Sequence, residues 1–247
     1  MARAFLVLAA VAAGCVGSPP RAPVAEGMQA LEGTTAGACS WRLWTPAVAP
    51  RPLRLAIWLH PSQASGEQLI EPLAPLLSKH GYALLVPIKP RYLGWTSEEI
   101  QALFSSVIPD VARASGVDPQ LPLVIGFSAG GQMALHLWQR APDALGAVVL
   151  VGTIPALVSG QAELPVEFPP RALLEGTAVL SLVGGLERGA QQWTKAAPAW
   201  LEAGVPLTLT VVPARAHEWL FDAPARALLD AWLQAIGESS THPPPGG

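Results

Sequence analysis

Gly126-Phe127-Ser128-Ala129-Gly130-Gly131 sets one serine between two glycines, Gly126 and Gly130, each two positions away. A serine so placed can act as a nucleophile when a strand stops just before it and a helix starts just after it. The glycines then let the turn approach its neighbours without a Cβ clash. Leu123-Val124-Ile125 supplies the strand, and Ala129, Met133, Ala134, Leu137 and Trp138 supply the apolar side of a following helix. The alternative is an idle serine in a glycine-rich turn, which the motif alone does not exclude in a chain with 23 glycines.

A hydroxyl is a weak nucleophile at neutral pH, so it needs a general base within hydrogen-bond reach, most often histidine. There are five. His242 lies in the tail and His80 at the end of an early helix, and both are expected at the surface. His136 follows Ser128 in the same helix, where Gln132, His136, Gln139 and Arg140 mark a polar stripe expected to point away from the serine. His60 ends an apolar strand. His217, in Pro213-Ala214-Arg215-Ala216-His217-Glu218-Trp219, follows the apolar run Leu207 to Val212. Loops at the carboxyl ends of parallel strands share one edge of the sheet, so this loop can meet Ser128 from far along the chain. His217 is the expected base.

The third group is a carboxylate that fixes the imidazole tautomer and stabilises its charged form. Leu180-Ser181-Leu182-Val183-Gly184-Gly185-Leu186-Glu187 is a strand followed by a loop ending in an acid. The chain order is then Ser128, Glu187, His217. A solvated Glu187 paired with Arg188 is the other reading, with Glu163, Glu167, Glu218 or Asp222 as less suitable acids.

These groups need a scaffold. Strands are expected at Cys39 to Thr45, Leu53 to Leu59, Tyr82 to Pro87, Leu121 to Phe127, Ala147 to Val151, Ala178 to Val183 and Leu207 to Val212. Most are near-continuous apolar runs, as in parallel strands covered on both faces. Helical stretches alternate with them: Glu67 to His80, Ser97 to Ser115, Ala129 to Arg140, part of Gln191 to Ala203, and Ala223 to Ile236. In the last, Arg226 and Asp230 stand at i,i+4 spacing and Asp222 can cap its start. Pro198 disfavours helical geometry at Ala197, so the helix near residue 191 is expected in two pieces. Strands alternating with helices specify an α/β fold with a mostly parallel sheet.

With 51% apolar and 13% charged residues, 247 residues suffice for one α/β domain, expected over 38–237. The net charge of −3 and the lack of a long basic run give no footprint for nucleic acid. Two cysteines, and no histidine pair at ligand spacing, predict no metal. At the start, Arg3 precedes an apolar stretch and Ala12-Ala13-Gly14-Cys15, so residues 1–15 read as a secretory signal. Ala-Ala-Gly-Cys also resembles the bacterial lipobox, with alanine in the usual leucine position. That implies a lipid on Cys15 and a membrane anchor, against cleavage at another small residue or an uncleaved anchor. Lipidation leaves Cys39 without a partner; a Cys15 to Cys39 bridge is the alternative. Residues 16–37 read as a flexible tether and 238–247 as a frayed tail.

Gly126 to Gly131, the serine-acid-histidine order and the strand-helix alternation together resemble the α/β-hydrolase superfamily. Trp41-Arg42-Leu43-Trp44-Thr45-Pro46, Leu59-His60-Pro61-Ser62 and Gly126 to Met133 are similar to the polyhydroxybutyrate-depolymerase-like and phospholipase/carboxylesterase-like esterases. His217-Glu218-Trp219 is similar to their histidine loop. The resemblance implies a serine esterase acting on small-molecule esters without a cofactor. It also implies an oxyanion hole from the N–H groups of Ala129 and of the residue after a His-Gly pair. Here that pair is His60-Pro61, and proline has no N–H. Either Ser62 supplies the donor, or a shifted register leaves Pro61 facing the oxyanion and one donor is lost. Glutamate also replaces the commoner aspartate at 187. A binding lipoprotein on a hydrolase scaffold and a peptidase with the same triad are the competing readings. Trp95, Trp193 and Trp219 are candidates to line an acyl pocket, and Ser159 to Pro170 to form a small cap.

Overall fold

A computed structural model describes residues 26–240 except 38, 49–51, 161 and 175. The expected signal segment 1–15, Cys15, most of the tether and the tail from 241 lie outside the described residues. Among the described residues there are ten strands: β1 (Met28–Thr34), β2 (Ser40–Pro46), β3 (Arg54–Leu59), β4 (Tyr82–Ile88), β5 (Asp118–Phe127), β6 (Ala147–Val151), β7 (Ala156–Ser159), β8 (Ala162–Pro165), β9 (Ala178–Gly184) and β10 (Leu207–Val212). Eight of them form one sheet in the order β1-β2-β4-β3-β5-β6-β9-β10. The pairs β1–β2 and β2–β4 are antiparallel and the others parallel. β7 and β8 form a separate antiparallel hairpin.

The apolar runs explain the layers. Side chains alternate across a strand, so Leu55, Ile57 and Leu59 of β3 join one buried cluster while Ala56 and Trp58 join the other. Helices α3 (Ser97–Ala102), α4 (Ile108–Ser115), α5 (Ala129–Arg140) and α7 (Arg188–Glu202) cover the first face through residues such as Ile100, Val111, Trp138 and Trp193. The short helices α1 (Glu67–Ile70) and α2 (Ala74–Lys79), with α8 (Ala223–Ser240), cover the second through Ile70, Leu77, Leu229 and Trp232. A further short helix, α6 (Arg171–Leu174), precedes β9.

Four local expectations are corrected. Met28–Thr34, within the expected tether, is an edge strand; most of its residues are exposed, so it carries no apolar pattern to read and is held by backbone pairing to β2. α7 is continuous through Pro198, because Trp193 and Trp200 bury on one side of both halves and Trp200 stacks on Trp138 at 5.0 Å. Asp230 meets Lys79 Nζ at 2.8 Å and His80 Nε2 at 2.6 Å, joining α8 to α2 rather than pairing with Arg226. His80 is accordingly mostly covered, with a side chain 11% exposed. The expected cap of α8 is present: Asp222 Oδ1 accepts from Ala225 N at 3.3 Å.

Candidate active site

Strands β3, β5, β6, β9 and β10 run parallel, so their carboxyl ends meet along one edge of the sheet. Leu59 pairs with Gly126, Phe127 with Val151, Val151 with Leu182, and Gly184 with Val212. Every loop that carries a candidate residue leaves from this edge.

Ser128 follows the last residue of β5 and precedes α5, with φ 53° and ψ −116°. A non-glycine residue there stores roughly 1–3 kcal/mol of strain. The flanking hydrogen bonds hold it: Ser128 N donates to Val151 O at 3.0 Å, and Gln132 N donates to Ser128 O at 2.9 Å. Both glycines are required by packing. A Cβ on Gly126 would strike the backbone of Gly130, and one on Gly130 would strike the carbonyl of Leu59.

The structure brings Ser128, Glu187 and His217 together. His217 Nε2 lies 3.0 Å from Ser128 Oγ, and His217 Nδ1 lies 2.8 Å from Glu187 Oε2. The Glu187 side chain is 9% exposed, its Oε1 accepts from Gly184 N at 2.9 Å, and it stands immediately before α7. The two loops interlock, since Leu186 N donates to Arg215 O at 2.8 Å. The His217 ring stacks on Phe127 at 5.4 Å. Arg215 braces the loop through Glu218 and Asp222, both at 2.7 Å. Three of the other acids are engaged elsewhere: Glu218 and Asp222 with Arg215, Glu163 with Arg188 and Gln192. Arg188 pairs with Glu163, not with Glu187.

His60 is fully buried at the end of β3, between the rings of Tyr92 and Trp95. Burial pushes its pKa down to about 4, so the imidazole is neutral near pH 7. A carbonyl can only accept, so the 2.8 Å contact between His60 Nδ1 and Pro61 O makes Nδ1 the protonated nitrogen.

Ser128 opens into a cleft of about 550 Å³ whose lining includes Ser62, Ala129, Trp95, Gln132, Met133 and His136. Two expectations change here. Gln132 and His136 face the cleft rather than away from it; they follow Ser128 by four and eight residues and so share its side of α5, a spacing that marks them in the sequence. Burial, with Arg140 nearby, lowers the His136 pKa, favouring its neutral form. Of the three tryptophans considered, Trp95 lines the cleft, Trp193 is buried in α7 with its Nε1 donating to Thr153 O, and Trp219 packs on Trp58 and Phe127. Ser159 to Pro170 contributes to the hairpin β7–β8, and Leu157 and Val158 from its first strand reach the cleft.

No protein-family model and no curated sequence matches the chain. Solved structures do match. An esterase of the fungus Rhizomucor miehei is 16% identical with a TM-score of 0.64, covering 87% of this chain and 85% of its own. A ferulic acid esterase is 14% identical with a TM-score of 0.65, covering 85% and 98%. Fluorophosphonate-binding serine hydrolase F of Staphylococcus aureus is 11% identical with a TM-score of 0.62, covering 85% and 98%. With the mostly parallel eight-stranded sheet, these likenesses establish the α/β-hydrolase fold.

Proposed function

We propose that the protein is a serine hydrolase that cleaves carboxylic esters through an acyl-enzyme. The observation that carries this reading is the unbroken chain from Glu187 to His217 to Ser128, 2.8 and 3.0 Å long, ending on a serine in strained backbone geometry. Ser128 Oγ attacks the ester carbonyl carbon while His217 Nε2 takes its proton. The tetrahedral intermediate collapses, the bond to the alcohol oxygen breaks, and His217 passes its proton to that oxygen. Water then attacks the acyl carbon, loses a proton to His217 and releases the acid as Ser128 recovers its hydrogen. Glu187 holds Nδ1 protonated and offsets the positive charge that His217 acquires.

The N–H groups of Ala129 and Ser62 are the oxyanion donors in this reading. Ala129 N–H opens α5, where no intrahelical acceptor exists for it. For Ser62 the support comes from the peptide it shares with Pro61. A trans peptide sets C=O and N–H in opposite directions. The Pro61 carbonyl is turned to the buried His60 ring, so the Ser62 N–H is directed away from it, and Ser62 lines the cleft. The missing N–H of Pro61 then costs nothing.

The decisive comparison is wild type against Ser128→Ala on 4-nitrophenyl butyrate and its anilide. Ester cleavage should exceed anilide cleavage, and the alanine variant should lose kcat by on the order of 10⁴-fold or more. Unchanged turnover in the variant would remove the serine from the mechanism. For location, we propose that Cys15 is lipidated and tethers the domain to a bacterial envelope membrane. Mass analysis of the mature wild type and of Cys15→Ala should find lipid only on the former; an unmodified Cys15 defeats the anchor.

A further inference from the structure

The cleft beside Ser128 is lined by Ser62 and Ala129 together with side chains of α5 and of the chain from Gly152 to Val158. His217 adjoins it at Ser128 and Gly152: its Nε2 is 3.0 Å from Ser128 Oγ, its ring lies against Gly152, and its side chain is 52% exposed. In acyl transfer the leaving oxygen must lie against the histidine that protonates it. The other substituent of the carbonyl carbon, the acyl chain, therefore faces away from His217.

The walls also have a chemistry. Leu93, Trp95, Met133, Ile154, Leu157 and Val158 provide apolar surface, and no Asp, Glu, Lys or Arg is among the described lining residues. His136, the titratable side chain among the described lining residues, is held toward its neutral form by burial and Arg140, so a substrate carboxylate placed there meets no fixed cation. The wall is built rather than incidental. Gln132 Oε1 accepts from Val158 N at 3.0 Å, and its Nε2 donates to Ile154 O at 3.4 Å, so one side chain of α5 grips the chain on both sides of Leu157. On the following strand Glu163 holds Arg188 and Gln192 of α7.

We propose that this cleft is the acyl site, that it takes an uncharged apolar acyl group, and that Gln132 fixes this preference by holding the β7–β8 hairpin as its wall. The proposal rests on the serine-esterase reading above. Specificity is then steep in the acyl group and shallow in the alcohol, which leaves past an exposed histidine into solvent.

The test is a two-way panel of 4-nitrophenyl and methyl esters bearing acetyl, butyryl, hexanoyl and monosuccinyl groups, assayed on wild type, Val158→Arg and Gln132→Ala. Wild type should prefer butyryl over monosuccinyl by about tenfold to a hundredfold in kcat/KM at a fixed alcohol, once the uncatalysed hydrolysis of each ester is subtracted. Val158→Arg, at a half-exposed position, supplies the missing cation and should shrink that ratio at least about tenfold. Gln132→Ala should flatten the dependence on acyl length, chiefly through KM for the longer chains. Equal rates for butyryl and monosuccinyl esters in wild type, or a ratio that Val158→Arg leaves unchanged, overturns the acyl-site assignment. Loss of acyl discrimination with Ser128-dependent turnover intact defeats this inference alone. Turnover independent of Ser128 defeats the esterase reading beneath it.

Discussion

Ser128, His217 and Glu187 differ in what holds them. Ser128 is fixed by backbone geometry, Glu187 by burial and the Gly184 N–H, and His217 by the acid, the Phe127 ring and its loop. Glu187→Gln keeps the shape and removes the charge that favours protonated Nδ1. Its kcat should fall on the order of 10⁴-fold with an unfolding midpoint close to wild type, read from steady-state kinetics and a denaturant titration on one sample. His60 makes a different prediction. Its ordinary pKa of 6.5 in the unfolded chain drops to about 4 in the fold, so between these values the unfolded state binds more protons. Stability therefore falls as pH drops from 6.5 to 4, by at most roughly 3 kcal/mol from this group, and the term vanishes above pH 7. Unfolding titrations at pH 7, 5.5 and 4 should show that slope in wild type and a flatter one in His60→Asn.

At the scale of elements, the strand-turn-helix around Ser128 is the joint that everything else depends on. Gly130 lies so close to Leu59 that a Cβ there must push β3 away from the elbow. Gly130→Ala should cost about 1–3 kcal/mol of stability and lower kcat more than it raises KM, because Ala129 and Ser62 shift apart. Denaturant unfolding with parallel kinetics checks both parts. This joint was legible in the sequence because an apolar run, two glycines and an amphipathic run all describe the same turn. The β1 strand was not, because an exposed edge strand is held by backbone pairing that leaves no side-chain pattern. The continuity of α7 was also hidden: Pro198 signals a break, and the tryptophan packing that overrides it is tertiary. The cleft-facing side of Gln132 and His136 is hidden for a related reason. A polar stripe on a helix ordinarily faces solvent, and only the hairpin opposite α5 turns this one into a cleft wall.

Over the whole molecule, the sheet brings Ser128, Glu187 and His217 from three separate loops to one edge, which is why their order along the chain was readable while their neighbours were not. The alternation of apolar strands and amphipathic helices specifies that edge; the cleft's contents depend on side chains whose partners lie far away in sequence. The central claim is that this edge arms one serine as a nucleophile. Fluorophosphonate treatment of the folded protein, followed by intact mass and peptide mapping, tests it most directly. One adduct per chain on Ser128, absent in Ser128→Ala and strongly slowed in His217→Ala, is the predicted result. Folded wild-type protein that takes up no adduct, or takes it up at another residue, would contradict the account.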